Sequence, residues 1–231
     1  MSNFKFLVLL IIVFMTGCQS SQSIKTTDPD MPDNAYLTGS KDVGLVLCHG
    51  RGHYPTWMVV EPLRKGVNKQ LGYHTLSIQM PTGDVSWRDY VHYFPDARKR
   101  IDTAIKALKE KGVKKIYLMG HSMGTRMATS YLAKKPDASV AGFIGVGIRT
   151  YGEGDLNTTE NLRMINIPVL DVFGDGGDGK DADHAADHEV FVGADYKQIL
   201  IQGADHRFTE SNHEKKMVDV IVAWLKTQSE D

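Results

Sequence analysis

The stretch KKIYLMGHSMGTRMATSYLAKK, residues 114–135, changes character in its middle. Residues 114–120 read as a short apolar strand, and residues 123–135 read as a helix. Between them lies GHSMG, a G-x-S-x-G pattern at residues 120–124. Gly120 and Gly124 lack Cβ atoms, so the chain can reverse sharply from strand to helix. Such a turn lifts the Ser122 hydroxyl above the sheet edge. It also puts the Met123 N–H at a helix start, where free donors and the helix dipole favour negative charge. The pattern alone is weak, because Gly and Ser are common in turns; the strand–turn–helix setting makes it specific.

The surrounding chain repeats that alternation. Strands are expected at 43–48 (VGLVLC), 74–81, 139–148, 168–174 and 196–203, each a short run rich in apolar residues. Helices are expected at 56–73, 95–112, 158–165, 184–193 and 213–228. The second of these is the clearest: Pro95 opens it, Ile101, Ile105 and Leu108 share a face, and Gly112 closes it. Strands of this kind separated by helices imply an α/β fold, a mostly parallel, doubly wound sheet with helices on both faces. Function then gathers beyond the carboxyl ends of the strands.

Two loops there carry further chemistry. CHGRGHYP, residues 48–55, follows the first strand. Acyl transfer develops a negative oxygen that needs two fixed N–H donors; Met123 supplies one and the Arg51 N–H the other. His49 is read as a buried side chain that fixes its loop. ILIQGADHRF, residues 199–208, ends the last strand and presents His206 as a general base for Ser122. Tyr54, Trp57, Trp87, Tyr90 and Tyr151 are read either as pocket lining or as packing, and Arg126 as structural or solvated.

The order serine, acidic loop, histidine resembles the α/β-hydrolase superfamily. Residues 42–228 look like a compact member of the dienelactone-hydrolase-like or small carboxylesterase type. The stretch at 49–81, with its His-Gly, Trp, Pro-Leu-Arg and Thr-Leu-Ser-x-Gln-x-Pro elements, is similar to an uncharacterised bacterial group within it. The resemblance implies the fold, with little or no lid because few residues separate Ile148 from Pro168. It also implies a serine nucleophile, no cofactor, and a triad carboxylate after the next-to-last strand, often as Gly-x-x-Asp. Here Gly174 is followed three residues later by Gly177, so the pattern is broken by one position. Asp178 is the expected acid, with Gly176 and Gly177 absorbing the slip, and Asp175 is the alternative.

The same glycine-rich loop, GDGGDGKDADH at 174–184, could be taken for a metal site. No EF-hand register fits it, and His184 and His188 lack a defined third ligand for zinc, so no metal is expected. Asp181 and Asp183 are read as an acidic helix start. Cys48 is expected to be a buried free thiol.

The 231 residues, 42% hydrophobic and with a net charge of -1, are enough for one domain and lack the basic excess that nucleic-acid binding needs. The first residues differ in kind. An apolar run from Phe6 to Met15 precedes Met15-Thr16-Gly17-Cys18, which resembles a bacterial lipobox. Residues 1–17 are therefore read as a lipoprotein signal peptide, Cys18 as the lipidated residue, 18–41 as a flexible tether and 42–231 as the hydrolase domain. By analogy with lipoproteins bearing Gln19 rather than Asp after the cysteine, the protein is expected on the periplasmic side of the outer membrane. The expected activity is hydrolysis of a small carboxylic ester or thioester. The alternatives are an acyltransferase or peptidase on the same residues, or a non-catalytic envelope module.

Overall fold

The structure, a computed structural model, describes residues 22–24, 34–134, 136–191 and 195–228. Eight strands form one sheet: β1 (Gln22–Ile24), β2 (Asn34–Leu37), β3 (Val43–Cys48), β4 (His74–Ile78), β5 (Lys115–His121), β6 (Val140–Val146), β7 (Val169–Gly174) and β8 (Tyr196–Ile201). Their order is β1-β2-β4-β3-β5-β6-β7-β8. The pairs β1–β2 and β2–β4 are antiparallel, and every later pair is parallel. The helices are α1 (Val60–Leu71), α2 (Phe94–Glu110), α3 (Met123–Lys134), α4 (Thr158–Leu162), α5 (Lys180–Ala186) and α6 (Ser211–Thr227).

Strand periodicity explains why the central strands are apolar throughout. Successive side chains point to opposite faces, and here both faces are covered. On β3, Leu45 and Leu47 join one core, while Val46 and Cys48 join the other. On β5, Tyr117 and Met119 go with the first pair, and Ile116 and Leu118 with the second. The first core is closed by α1 and α6 through Leu63, Val67, Met217, Ile221 and Leu225. The second is closed by α2 and α3 through Ile101, Ile105, Leu108 and Met127. Cys48 is a buried free cysteine, and burial raises its pKa far above the ordinary thiol range. The thiolate is thereby suppressed, and this cysteine is inert.

Two expectations change. The domain does not begin at residue 42: Asn34–Leu37 pairs with β4 through Ala35–Ser77, Tyr36–Leu76 and Leu37–Thr75. Tyr36 is buried and its hydroxyl lies 2.6 Å from His74 Nδ1. A polar-looking stretch is thus held by a few apolar side chains and a strand edge. The expected helix at 184–193 instead begins at Lys180, after Gly179 in the left-handed conformation (φ 66). The proposed leader at 1–17 and the lipid site at Cys18 lie outside the described residues. Between β6 and β7 stand only a short 3-10 turn (Gly154–Leu156) and α4, so among the described residues no lid domain is inserted there.

If β2 is part of the domain, a chain starting at residue 42 should be less stable than one starting at residue 34. Burying Tyr36 and Leu37 contributes about 3 kcal/mol, and the exposed β4 edge should promote aggregation. Thermal melts of the two chains check this; equal midpoints would return Asn34–Leu37 to a tether.

Candidate active site

The turn at GHSMG is built from backbone set against backbone. A Cβ on Gly120 would stand 2.7 Å from the Gly124 carbonyl group, and one on Gly124 would collide with the carbonyl oxygens of Cys48 and His49. Ser122 itself has φ 54, a left-handed conformation that a non-glycine residue adopts only when its surroundings enforce it. Here the Ser122 N–H donates to the Val146 carbonyl at 3.1 Å, and the Ser122 carbonyl accepts from the Thr125 N–H at 3.0 Å and the Thr125 hydroxyl at 2.6 Å. Met123 opens α3 immediately after Ser122, so its N–H is among the helix donors with no partner one turn back.

The loop after β3 lies directly beside this turn. A Cβ on Gly50 would be 3.3 Å from Ser122 Cβ. The loop reverses through a turn in which the His53 N–H reaches the Gly50 carbonyl at 3.3 Å, with Gly52 at φ 74. Arg51 is in the middle of that turn, and its side chain leaves the site to donate to the Val85 carbonyl at 3.2 Å. His49 fixes the loop as expected. Its Nδ1 donates to the Gly50 carbonyl at 2.8 Å, and its Nε2 accepts the Met80 N–H at 2.9 Å. The Gln79 amide also approaches Nε2 at 2.9 Å. Burial pushes the His49 pKa down to about 4, so the ring is neutral and its tautomer is set by these partners.

His206 follows β8 on a loop that is also held tightly. The Asp205 carboxylate accepts from the Thr209 N–H and hydroxyl at 2.8 and 2.9 Å. Phe208 is buried at φ 53, so its packing holds a second left-handed residue within two positions of the imidazole. From the other side, His121 Nε2 donates to the His206 carbonyl at 3.0 Å. His121 is fully buried, and burial drives its pKa down to about 3. A neutral His121 thus ties the serine turn to the histidine loop, a role unread in the sequence because any residue fits the second position of G-x-S-x-G.

The acid partner of His206 differs from both expected residues. His206 Nδ1 lies 2.8 Å from Asp181 Oδ2 and 2.9 Å from Asp181 Oδ1. Asp178 has other partners: its carboxylate meets the Arg149 guanidinium at 2.9 Å and caps the Lys180 N–H at 3.3 Å. Asp175 accepts the Gly203 N–H at 2.6 Å and so ties its loop to the end of β8. The physical reason is the position of α5. The chain leaves β7 with Gly174 and Gly176 pressed against the carbonyls of Ala204 and Gly203. It then turns through Gly177 and Gly179, both left-handed, and starts the helix at Lys180. That start points the first-turn Asp181 inward, where it is 3% exposed.

Burial alone would raise the Asp181 pKa. Hydrogen bonds and charge from His206 and Arg149 outweigh that effect, and the carboxyl sits below its ordinary value. Arg149 Nε donates to Asp181 Oδ1 at 2.6 Å. Gly147, two residues before Arg149, has φ 61, and a Cβ there would be 2.9 Å from His206 Nδ1 and 3.1 Å from Asp181 Oδ2. Only glycine leaves room for the pair. Arg126, early in α3, donates to the carbonyls of Arg149 and Tyr151 at 3.0 and 3.3 Å. It stands over the Trp87 and Tyr151 rings, so it is structural and braces the loop that carries Arg149. Tyr90 is fully buried packing, whereas Trp57 stacks on His53 with ring centroids 3.4 Å apart.

A cavity of about 370 Å³ opens beside His206, walled by Arg149, Asp178, Asp205 and Arg207. A larger hollow of about 520 Å³, lined by Leu162, Ile165, Phe191 and Tyr196, lies at the opposite end of β7 and β8 and touches none of these groups. Among the described residues, no three His, Cys, Asp or Glu side chains converge to hold a metal.

Solved structures resemble most of the chain. A dienelactone hydrolase from Anabaena variabilis matches with a TM-score of 0.70 at 20% identity, over 90% of this chain and 97% of that one. Est1E from Butyrivibrio proteoclasticus matches with a TM-score of 0.70 at 14% identity, over 92% and 100%. An alpha-beta serine hydrolase homologue from Coxiella burnetii gives 0.65 at 17%, over 88% and 100%. At these identities the likeness establishes the α/β-hydrolase fold. No curated protein matches the chain. A family model described as "Protein of unknown function (DUF3530)" matches residues 92–227, more than half of the chain and including Ser122, Arg149, Asp181 and His206, and the chain belongs to that family.

Proposed function

We propose that this protein is a serine hydrolase that cleaves a small carboxylic ester or thioester through an acyl-enzyme. The observation that carries the reading is the His206–Asp181 pair, on a loop bonded through His121 to the left-handed turn at Ser122. With Nδ1–H committed to Asp181, Nε2 carries the lone pair and is the group that takes the Ser122 proton. Ser122 Oγ attacks the acyl carbon, and the carbonyl π electrons move to oxygen. The Met123 and Arg51 N–H groups receive that oxyanion. The tetrahedral species collapses, the leaving alcohol or thiol takes the proton from His206 Nε2, and the acyl group remains on Ser122. Water, deprotonated by the same nitrogen, attacks the acyl-enzyme; the acid is released and Ser122 regains its proton. Asp181 holds the imidazole in the correct tautomer and stabilises its charged form.

The open sheet end supports a small soluble ester over a lid-gated lipid substrate. A purely binding role has no use for a strained serine turn tied through its neighbour His121 to the loop of a carboxylate-paired histidine, and this favours the hydrolase over the envelope module. In a panel of p-nitrophenyl esters of graded chain length, the domain should turn over short acyl chains, and Ser122→Ala should fall to the uncatalysed rate. Equal turnover by wild type and Ser122→Ala, or none by either, would contradict the reading.

The acid assignment has its own test. Asp181→Asn should lower kcat by about 10⁴-fold, because the amide favours the wrong tautomer, while Asp178→Asn and Asp175→Asn should each cost about tenfold or less. A large loss at Asp178 with little at Asp181 would reverse the assignment.

The reading includes a lipid anchor at Cys18, placing the enzyme on the periplasmic face of the outer membrane. Its support is the sequence MTGC after an apolar run, with Gln19 following. Two or three acyl chains would give stable membrane attachment. Cells expressing the full chain with a labelled fatty acid should incorporate label into the wild type and not into Cys18→Ser. Label in both, or in neither, would remove the anchor.

A further inference from the structure

Among the described residues, Arg149 touches both the site's acid and a second carboxylate. Its Nε lies 2.6 Å from Asp181 Oδ1, and its terminal nitrogens meet Asp178 at 2.9 and 3.4 Å. Its main chain is fixed as well, because the Arg149 carbonyl accepts from Arg126 Nε at 3.0 Å. The side chain is 20% exposed, and Asp181 is 3% exposed. The inner carboxylate is therefore shared between the Arg149 guanidinium and the His206 imidazole, and the outer carboxylate of Asp178, 48% exposed, partly neutralises the guanidinium.

We infer that Arg149 is a positioning residue that sets the lower pH limit of activity, by drawing part of the Asp181 charge away from His206, with Asp178 as its counterweight. The inference rests on the hydrolase reading above. Two cations that bind one carboxylate oppose each other's charge. When His206 takes the serine proton, its imidazolium leans on a carboxylate already engaged by Arg149. The clamp thus limits how far Asp181 can stabilise the imidazolium, and it keeps the Asp181 oxygens aimed at Nδ1. The other charged or titratable groups around His206 are few. His121 supports its main chain and His53 approaches from the loop after β3. Asp205 and Arg207 flank it on its own loop. His121 is neutral, Asp205 is bonded to Thr209, and Arg207 stands over the Trp57 ring, 6.0 Å from its centroid. Arg149 is the cation bonded to the acid.

The test is the pH dependence of kcat/KM for wild type, Arg149→Met, Arg149→Lys and Asp178→Asn. In Arg149→Met the opposing cation is gone, and the acid limb should move to higher pH by about one unit. In Asp178→Asn the counterweight is gone, and the limb should move the other way, to lower pH. Arg149→Lys keeps the charge but loses the planar fork; kcat should fall while the limb stays close to wild type. A residue that only braces the loop would lower kcat or the melting temperature in every variant without moving the limb. An unmoved limb in Arg149→Met, or shifts of the same sign in Arg149→Met and Asp178→Asn, overturns the inference. If Arg149→Met does not fold, an unmoved or upward limb in Asp178→Asn overturns it alone. Titration of the His206 Cε1 proton by NMR reads the same midpoints without turnover. Opposite shifts there in a protein that cleaves no ester would leave the charge coupling standing and sink the hydrolase reading instead.

Discussion

The close backbone approach at residues 120–124 governs the rest of this molecule. Gly124 places α3 against the carbonyls of Cys48 and His49, a contact that no side chain could share. Ser122 is thereby forced to φ 54, at a cost of order 1–3 kcal/mol. The buried cores beneath it offset that strain, since a single buried leucine or isoleucine contributes about 1.5–3 kcal/mol. Once α3 sits there, the loop after β3 has one course, with Gly50 beside Ser122 and His49 turned inward to Gly50, Gln79 and Met80. The loop after β8 is then drawn in by His121, which bonds the His206 carbonyl.

Charge is arranged outward from that frame in a chain. Arg126 on α3 holds the carbonyls of Arg149 and Tyr151; Arg149 holds Asp181 and Asp178; Asp181 holds His206. Each link is charge-assisted, and the inner members are shielded from water, so their geometry is stiffer than that of exposed ion pairs. Gly147 is the gap that lets the His206–Asp181 pair pass the end of β6.

The sheet was legible in the sequence because its central strands are buried on both faces. Apolar runs such as VGLVLC and KIYLMG have few other uses at that length, and the serine turn was legible because its two glycines are sterically required. The places of Ser122 and His206 just beyond β5 and β8 follow from the strand pattern alone. Asp181 does not, because its direction depends on where α5 begins, and that is set by left-handed Gly179 rather than by any hydrophobic pattern. With the helix expected four residues later, Asp181 reads as an acidic residue leading into the helix and Asp178 as the expected acid. Arg149 was equally hidden: nothing local distinguishes an arginine after a strand from a surface residue until two distant aspartates are seen around it. The strand Asn34–Leu37 was missed for a related reason, since Tyr36 is a single aromatic in a polar stretch and its partner β4 is far away in sequence.

The central claim is that Ser122 is a nucleophile activated by His206. The most direct measurement is the mass and position of the adduct formed with a fluorophosphonate. The account predicts one adduct per chain, on the peptide containing Ser122, formed at a rate that collapses in His206→Gln. No adduct on the folded protein, an adduct on another residue, or undiminished labelling of Ser122 without His206 would contradict it.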